Sequence, residues 1–562
     1  MRMDLNIRVA GAAGQGVETI GESLVGAFAD AGLYVFSTQT YMSRVRGGLN
    51  WFDIRIGDRA LFSGREKADL LVALMPEALE LLRGDVAAGG TILFNGPAQE
   101  GVVGVAFEDV ARELTGARIM ANTVAAGAVF ALLGYDVAEL EKQLRARFES
   151  KGKEVVQANL KCARTGAELA GSQAGKLKAP RPAGAPQTIC SGNDAVGLGA
   201  ATAGVKFMTA YPMTPSTGVL TFLANVADRY GIVVEQAEDE IAAINMVCGA
   251  AYAGVPAMTG TSGGGFALMV EGLALAGMLE LPVFIFLGQR PGPATGLPTR
   301  TAQQDLRFAI HAGHGEFPRA VLAPGTPQQC YDLTRRGLEM AHKYQSPVIL
   351  MSDQFLADMR MNCAGLDESY RPIDRHVLDN PPEDYVRYAI TEDGVSPRAL
   401  PGSAAFVVLD SDEHREDGHI TEDLDMRVRM QDKRMRKQQG LLADALEPEW
   451  YGPRVAENIL VCWGSTYGPC REAVDLLNQN EHSVGMAHFA QVWPLDGPAI
   501  REWLRQRGPT SGSARIHCVE ANSTGQFASL LRQVGAVDEV TSVLRYDGMP
   551  FTGEEIARRA RS

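Results

Sequence analysis

The chain has 562 residues, which at roughly 150 residues per domain suggests three to four domains and excludes a single small module. Apolar residues make up 46% and charged residues 21%, and the 61 glycines and 28 prolines follow no collagen period, so a folded multidomain protein is expected rather than a disordered chain or a fibre. Lys and Arg number 53 against 67 Asp and Glu, and the net charge of −14 speaks against any nucleic-acid mode that needs a broad basic face.

The first unit, residues 1–170, opens with an apolar run from Leu5 to Ala10 that predicts a strand, then a glycine turn and a helix from Val17 to Ala31. Strand-like runs at Asp69 to Leu74 and Thr91 to Phe94 complete an α/β pattern. Residues 171–186, rich in Gly, Ala, Pro and Lys and without apolar periodicity, read as a linker. From 187 to 367 strand-like runs alternate with helical ones: Val205 to Ala210, Ile232 to Glu235, Ala257 to Thr259, Pro282 to Leu287 and Pro347 to Met351. That alternation predicts a parallel α/β sheet. Residues 368–445 form a connecting segment, acidic and proline-dotted at first and ending in a basic helical stretch from Met426 to Gln439. A last α/β unit, 446–562, has strands near Ile459 to Trp463, Ser483 to His488 and Ile516 to Val519. The fold class is therefore multidomain α/β.

Eight cysteines (162, 190, 248, 330, 363, 462, 470 and 518) form no CxxC pair, so neither a ferredoxin-type cluster run nor a zinc knuckle is expected in this chain. With no secretory h-region behind Met1 and no apolar run of about eighteen residues or more, the cysteines read as reduced thiols of a cytoplasmic protein with no membrane partner.

Several segments could carry chemistry. Gly11, Gly14 and Gly16 lie between a strand and a helix, where backbone N–H groups can hold a phosphate, although a tight turn explains them equally. Their order is not GxGxxG, and Phe36 to Thr40 offers no acid for a ribose, so an NAD site is not expected. Arg44 and Arg46 beside Gly47 and Gly48 suit the phosphates of a nucleotide-like ligand, or are a solvated pair. The loop Tyr211-Pro212-Met213-Thr214-Pro215-Ser216 begins where a strand ends, the place at which open α/β sheets bind ligands, and its prolines restrict where Thr214 points. A helix cap by Ser216 or Thr217 is the plainer reading. Glu238 and Asp239 suit a first helical turn, whereas Glu240 leads directly into a small, apolar helix, an environment suited to proton relay. Gly260 to Gly264 matches the G-x-S-x-G elbow of a serine hydrolase at Ser262, but His311, His314 and Asp353 follow in the wrong order for that fold. Arg290, after an apolar run and before a proline-rich loop, offers a fork to a carboxylate, or a surface salt bridge. The acid- and histidine-rich stretch from Asp410 to His419 fits neither an EF-hand nor HExxH and reads as a solvated loop, so no metal ligands are assigned.

Taken in order, these segments resemble the α subunit of the 2-oxoacid:ferredoxin oxidoreductases, most closely the 2-oxoglutarate type in which a γ domain is fused ahead of α. The resemblance rests on Gly11 to Gly16, Arg46 to Gly48 and Asn122 to Gly127 in the γ part, and on Tyr211 to Ser216, Glu238 to Glu240, Thr261 to Gly263, Gln289-Arg290, Pro298-Thr299 and His314 to Pro318 in the α part. It continues through Asp412 to His414, Gly418-His419, Lys433-Arg434, Trp463 to Ser465 and Gly525-Gln526. Met213 stands where the family usually has Ile.

The resemblance implies oxidative decarboxylation of 2-oxoglutarate to succinyl-CoA with electrons passed to ferredoxin, and the reverse reaction that fixes carbon dioxide. A pyruvate or broad-range 2-oxoacid enzyme remains open, as do a serine hydrolase and a noncatalytic subunit that docks coenzyme A or ferredoxin. It further implies that 187–367 bind the pyrimidine half of thiamine diphosphate, with Tyr211, Pro212, Thr214 and Glu240 around it, and that 446–562 resemble a transketolase C-terminal domain. A partner β subunit would supply the diphosphate and Mg2+ half and a 4Fe–4S cluster, in an (αβ)2 assembly. By the resemblance, Glu240 matches the carboxylate that bonds the aminopyrimidine ring and shifts a proton through it. Thr214 and Arg290 match positions facing the substrate's 1-carboxylate. Gly11, Gly14, Gly16, Arg44 and Arg46 are the candidates for coenzyme A, and no residue stands out as an anchor for a distal carboxylate.

Overall fold

The computed structural model describes residues 3–42, 48–173, 175–182, 184–185, 188–510 and 513–561. They fall into two compact units. The first comprises 1–191 with 358–364 and 552–554 and is built on an eight-stranded sheet. Four parallel strands, Val102–Gly104, Val86–Phe94, Ala68–Ala73 and Asp4–Ala12, make one half. Leu49–Gly57, Tyr34–Thr40, Arg360–Cys363 and Thr188–Ser191 continue it antiparallel. Asp4–Ala12 is buried along nearly its whole length, as a central strand covered on both faces must be. The two long antiparallel strands were not expected, although Phe52, Ile54 and Ile56 are buried at the two-residue period of a half-covered strand. The linker at 171–186 does not end this unit, because Thr188–Ser191 and the distant Arg360–Cys363 pair into the same sheet.

The second unit holds two sheets. In the seven-stranded one, Ala320–Leu322, Val348–Asp353, Phe284–Gln289, Ala257–Thr261, Phe207–Ala210 and Val233–Gln236 run parallel in that order, and Gln491–Trp493 closes the outer edge antiparallel to Ala320–Leu322. All six residues of Phe284–Gln289 and of Val348–Asp353 are buried. The five-stranded sheet is ordered Glu449–Tyr451, Val484–Phe489, Asn458–Trp463, Arg515–Glu520, Thr541–Leu544, parallel except for its first strand. One apolar cluster, including Ile349, Trp463, Phe489 and Phe527, fills the space between the two sheets.

The connecting segment is irregular from 365 to 423 apart from isolated bridges, and the basic stretch forms the helix Leu424–Ala443. That helix is not a solvated face, since it buries Lys433, Arg434 and Lys437. Lys433 donates to Glu280 at 2.6 Å, Lys437 pairs with the same carboxylate, and Arg387 donates to the Glu280 carbonyl at 3.0 Å. Glu280 has φ 51°, a left-handed conformation that costs a non-glycine residue about 1–2 kcal/mol. Burial alone would raise its carboxyl, but Lys433, Lys437 and Arg387 outweigh burial and hold it far below the usual range. With one carboxylate among three cations, burial aided by Lys437 and Arg387 pushes Lys433 down to about 7 despite Glu280. No helix among the described residues is long and apolar enough to cross a membrane.

Candidate functional site

Four neighbouring strands of the seven-stranded sheet, Phe284–Gln289, Ala257–Thr261, Phe207–Ala210 and Val233–Gln236, end on one side, and the candidate residues follow them in turn. Arg290 follows the first, Ser262 to Gly265 the second, the Tyr211 to Ser216 loop the third and Glu240 the fourth. The carboxyl edge of a parallel sheet is where ligands bind in open α/β folds.

Asp239 caps the helix Glu240–Tyr252 by accepting from the Ala242 amide at 2.8 Å, which places Glu240 in the first turn. Glu238 is exposed. Glu240 is only 3% exposed, and its Oε1 is buried with no protein partner, an expensive state that a bound donor relieves. The helix Gly263–Met278 comes so close that a Cβ at Gly265 would meet both the Glu240 carboxylate and the Thr261 hydroxyl. Thr214 precedes a cis Pro215, and the Arg290 guanidinium donates to the Thr214 carbonyl at 2.9 Å, so two candidates chosen far apart in sequence meet. Arg290 has no carboxylate within salt-bridge distance among the described residues, and burial lowers its pKa. Tyr211 is 41% exposed and Pro212 is half-buried, so this loop borders the open side of the site. The Ser216 hydroxyl turns back to the Met213 carbonyl at 2.7 Å and caps no helix.

Asp305 carries no signal of its own in the sequence, because an acid before a short helix reads as a cap. Here its side chain caps nothing, Oδ2 is buried without a partner, and a Cβ at Gly263 would press against it. Gln289 accepts from the Asp305 amide at 3.0 Å, and Gln304 donates to the Arg290 carbonyl at 3.0 Å, which fixes both residues on one frame. Burial pushes the Asp305 carboxyl up from 3.8 to about 6. The folded state therefore holds a proton that the unfolded chain has released, and stability falls as pH rises from about 4 to about 6. Asp305→Asn is expected to stabilise the protein at pH 7 by about 2 kcal/mol and to bring no gain at pH 4, as read from denaturant melts at the two pH values.

The elements of a serine hydrolase are not assembled. Ser262 is fully buried and donates to the Met213 sulfur at 2.6 Å. Asp353 accepts from Ser465 at 2.5 Å and from the Leu356 amide at 3.0 Å. In the Asp410 to His419 stretch, Glu413 binds Arg427 and Arg434, and His414 lies 4.0 Å from the Tyr388 ring. This stretch is thus partly built into the protein rather than wholly solvated.

In the first unit Gly11 belongs to the strand Asp4–Ala12, while Gly14 and Gly16 take φ 88° and 73°. Gly16 begins the helix Val17–Asp30, and a Cβ there would strike Asn122. The Gln15 side chain accepts from the Ala12 amide at 2.7 Å, so that N–H is already engaged. Gly14, Gln15, Asn95, Arg118 and Asn122 line a cavity of about 270 Å³ at this loop. Arg118 carries no motif and could not be singled out from the sequence. Arg44 and Arg46 lie outside the described residues.

Residues 198–433 match the family described as pyruvate flavodoxin/ferredoxin oxidoreductase, thiamine diphosphate-binding, and 6–169 match pyruvate ferredoxin/flavodoxin oxidoreductase. The class defined is thus a multidomain α/β oxidoreductase with a parallel-sheet thiamine diphosphate-binding domain. The chain is 31% identical over 629 residues to 2-oxoacid:ferredoxin oxidoreductase 2, subunit alpha, of Aeropyrum pernix, with 99% of this chain and 97% of that one covered. It is 30% identical to 2-oxoglutarate oxidoreductase subunit KorA of Mycobacterium tuberculosis, with 99% and 91% covered. A solved structure of 2-oxoglutarate:ferredoxin oxidoreductase from Magnetococcus marinus, with 2-oxoglutarate, coenzyme A and succinyl-CoA bound, is 33% identical, with a TM-score of 0.92 and 100% and 99% covered. The chain belongs to the 2-oxoacid:ferredoxin oxidoreductase family, among its α subunits, as the motifs led us to expect.

Proposed function

We propose that this chain is the α subunit, with a γ domain fused ahead of it, of a cytoplasmic 2-oxoglutarate:ferredoxin oxidoreductase that forms succinyl-CoA and runs in reverse to fix carbon dioxide. The observation that carries the reading is the buried, unpartnered Glu240 Oε1 at the sheet's carboxyl edge, which fits the ring nitrogen of an aminopyrimidine. The M. marinus relative, with 2-oxoglutarate and coenzyme A bound, supports the choice of substrates.

Thiamine diphosphate, when bound, supplies a carbon nucleophile for the keto group and an acceptor for the electrons left when carbon dioxide departs. Tyr211, Pro212, Thr214 and Glu240 would hold its pyrimidine end. Glu240 keeps or yields a proton at the ring in the dry first turn of its helix, where general acid–base coupling is effective. Arg290 and Thr214 orient the 2-oxoacid through its 1-carboxylate. Gly11, Gly14 and Gly16, with Arg44 and Arg46, would hold coenzyme A, together with Arg118, which lines the same cavity as Gly14. We assign 1–170 to the γ-like domain, 171–186 to a linker, 187–367 to the pyrimidine domain, 368–445 to the connection and 446–562 to a transketolase-C-like domain. A β subunit would bring the diphosphate and Mg2+ half and the 4Fe–4S cluster, in an (αβ)2 complex that reduces ferredoxin.

The test is kcat/KM of the complex, co-expressed with its partner, for 2-oxoglutarate, pyruvate and 2-oxobutyrate. A preference for 2-oxoglutarate of at least about tenfold is expected, and an equal or higher value for pyruvate overturns the choice of substrate. Arg290→Gln removes a charge-assisted contact of about 1.5–3 kcal/mol, so kcat/KM should fall roughly ten- to hundredfold with thermal stability retained.

A further inference from the structure

The loop 290–305 joins the strand Phe284–Gln289 to the helix Leu306–His311 and has no secondary structure of its own. Loops of that kind longer than about 12–15 residues are uncommon in compact domains and are usually functional. This one begins with Arg290, and its two ends are tied together. The Gln289 side chain accepts from the Asp305 amide, and the Gln304 side chain donates to the Arg290 carbonyl.

The returning half of the loop is held by the five-stranded sheet. Trp463, Ala521 and Gly548 lie at or just beyond the carboxyl ends of the neighbouring parallel strands Asn458–Trp463, Arg515–Glu520 and Thr541–Leu544. In open α/β sheets that edge receives ligands. Here it receives a piece of the same chain. Gln303 is fully buried, and all four of its polar groups bond to these strand ends. Its amide donates to the Ala521 carbonyl at 2.7 Å, and its side-chain oxygen accepts from the Ala521 amide at 2.9 Å. Its carbonyl accepts from Asn522 at 2.9 Å, and its side-chain nitrogen donates to the Trp463 carbonyl at 2.7 Å. The approach is close, since a Cβ at Gly464 would come within 2.9 Å of that nitrogen. On either side, the Thr301 amide donates to the Gly548 carbonyl at 3.1 Å, and half-buried Gln526 donates to the Gln304 carbonyl at 2.6 Å and accepts from the Arg307 amide at 3.0 Å.

A contiguous path of hydrogen bonds thus leads from the strand ends of the five-stranded sheet through Gln303 and Gln304 to the Arg290 backbone, and from the guanidinium to the Thr214 carbonyl. A side chain on a loop is precise only where other groups fix the loop. We propose that the five-stranded sheet serves the reaction by holding this loop, with Gln303 and Gln526 as positioning residues for Arg290. The proposal rests on the reading of Arg290 as the clamp on the 2-oxoacid's 1-carboxylate. Gln303 has no polar group left to offer a substrate, so it acts through the loop alone.

The experiment compares Gln526→Leu and Gln303→Met in the intact complex, each alone and combined with Arg290→Gln. Steady-state kinetics with 2-oxoglutarate, hydrogen exchange and thermal melts are recorded for all. Gln526→Leu removes two loop bonds from a half-buried position, so it decides the outcome if Gln303→Met, which leaves buried groups unsatisfied, fails to fold. Both variants should speed exchange of the 297–307 amides at least about fivefold. Both should raise KM at least about fivefold, with kcat within about threefold of the parent. In the Arg290→Gln background the same substitutions should change kcat/KM by less than about twofold, because residues that act through one another are not additive. Parental KM in Gln526→Leu, or an undiminished effect in the Arg290→Gln background, overturns the positioning role while leaving the clamp intact. If Arg290→Gln alone keeps the parent's kcat/KM, the reading of the clamp fails and takes this proposal with it.

Discussion

Glu240→Gln is expected to lower turnover of the assembled enzyme by on the order of 10²–10⁴-fold, with melting temperature and subunit assembly unchanged. The substitution keeps the side chain's shape in a closely packed place, where even a Cβ at Gly265 has no room, and removes only the capacity to exchange a proton. Because Oε1 makes no hydrogen bond within the protein, its replacement disturbs no internal network. Steady-state kinetics with 2-oxoglutarate, run beside a thermal melt, separates the chemical effect from a folding defect. Turnover within a few-fold of the parent would remove Glu240 from the proton-handling role.

Glu280→Gln is expected to cost about 3–5 kcal/mol of stability, roughly 3–4 °C in melting temperature for a chain of this length, because it leaves Lys433, Lys437 and Arg387 buried around a neutral amide. The pH dependence has a definite sign. The Glu280 carboxyl is held far below its ordinary 4.5 by the cations that outweigh its burial. As pH falls, the unfolded chain takes up the proton first, so the pair's contribution is complete above pH 4.5 and is lost below it. The gap between parent and variant should therefore shrink between pH 6 and pH 3 in denaturant melts. A constant gap would mean that packing rather than charge holds the cluster together.

The parallel architecture of the second unit was legible because buried strands such as Phe284–Gln289 are continuous apolar runs that helices separate. Glu240 and Arg290 were legible for a related reason, as each charge adjoins a long uncharged stretch. Neither Asp305 nor Glu280 could be recognised that way. Asp305 mimics a helix cap, and Glu280 depends on lysines more than a hundred and fifty residues downstream, on a helix whose polar sequence reads as solvated. Charge pairing across such distances leaves no local period in the sequence. The strand Leu49–Gly57 does carry a two-residue pattern at Phe52, Ile54 and Ile56, whereas Tyr34–Thr40 is buried without such a period and so gives no strand signal of that kind.

The strand Arg360–Cys363 lies between Tyr34–Thr40 and Thr188–Ser191, so the first sheet is completed by residues that follow most of the thiamine-binding domain in the chain. During synthesis, Tyr34–Thr40 must wait with an open edge until residue 363 has left the ribosome, and an open edge invites pairing with another chain. The same geometry limits how such proteins can be divided. A polypeptide cut between residues 170 and 187 is expected to need a new way to protect that edge before it can stand alone.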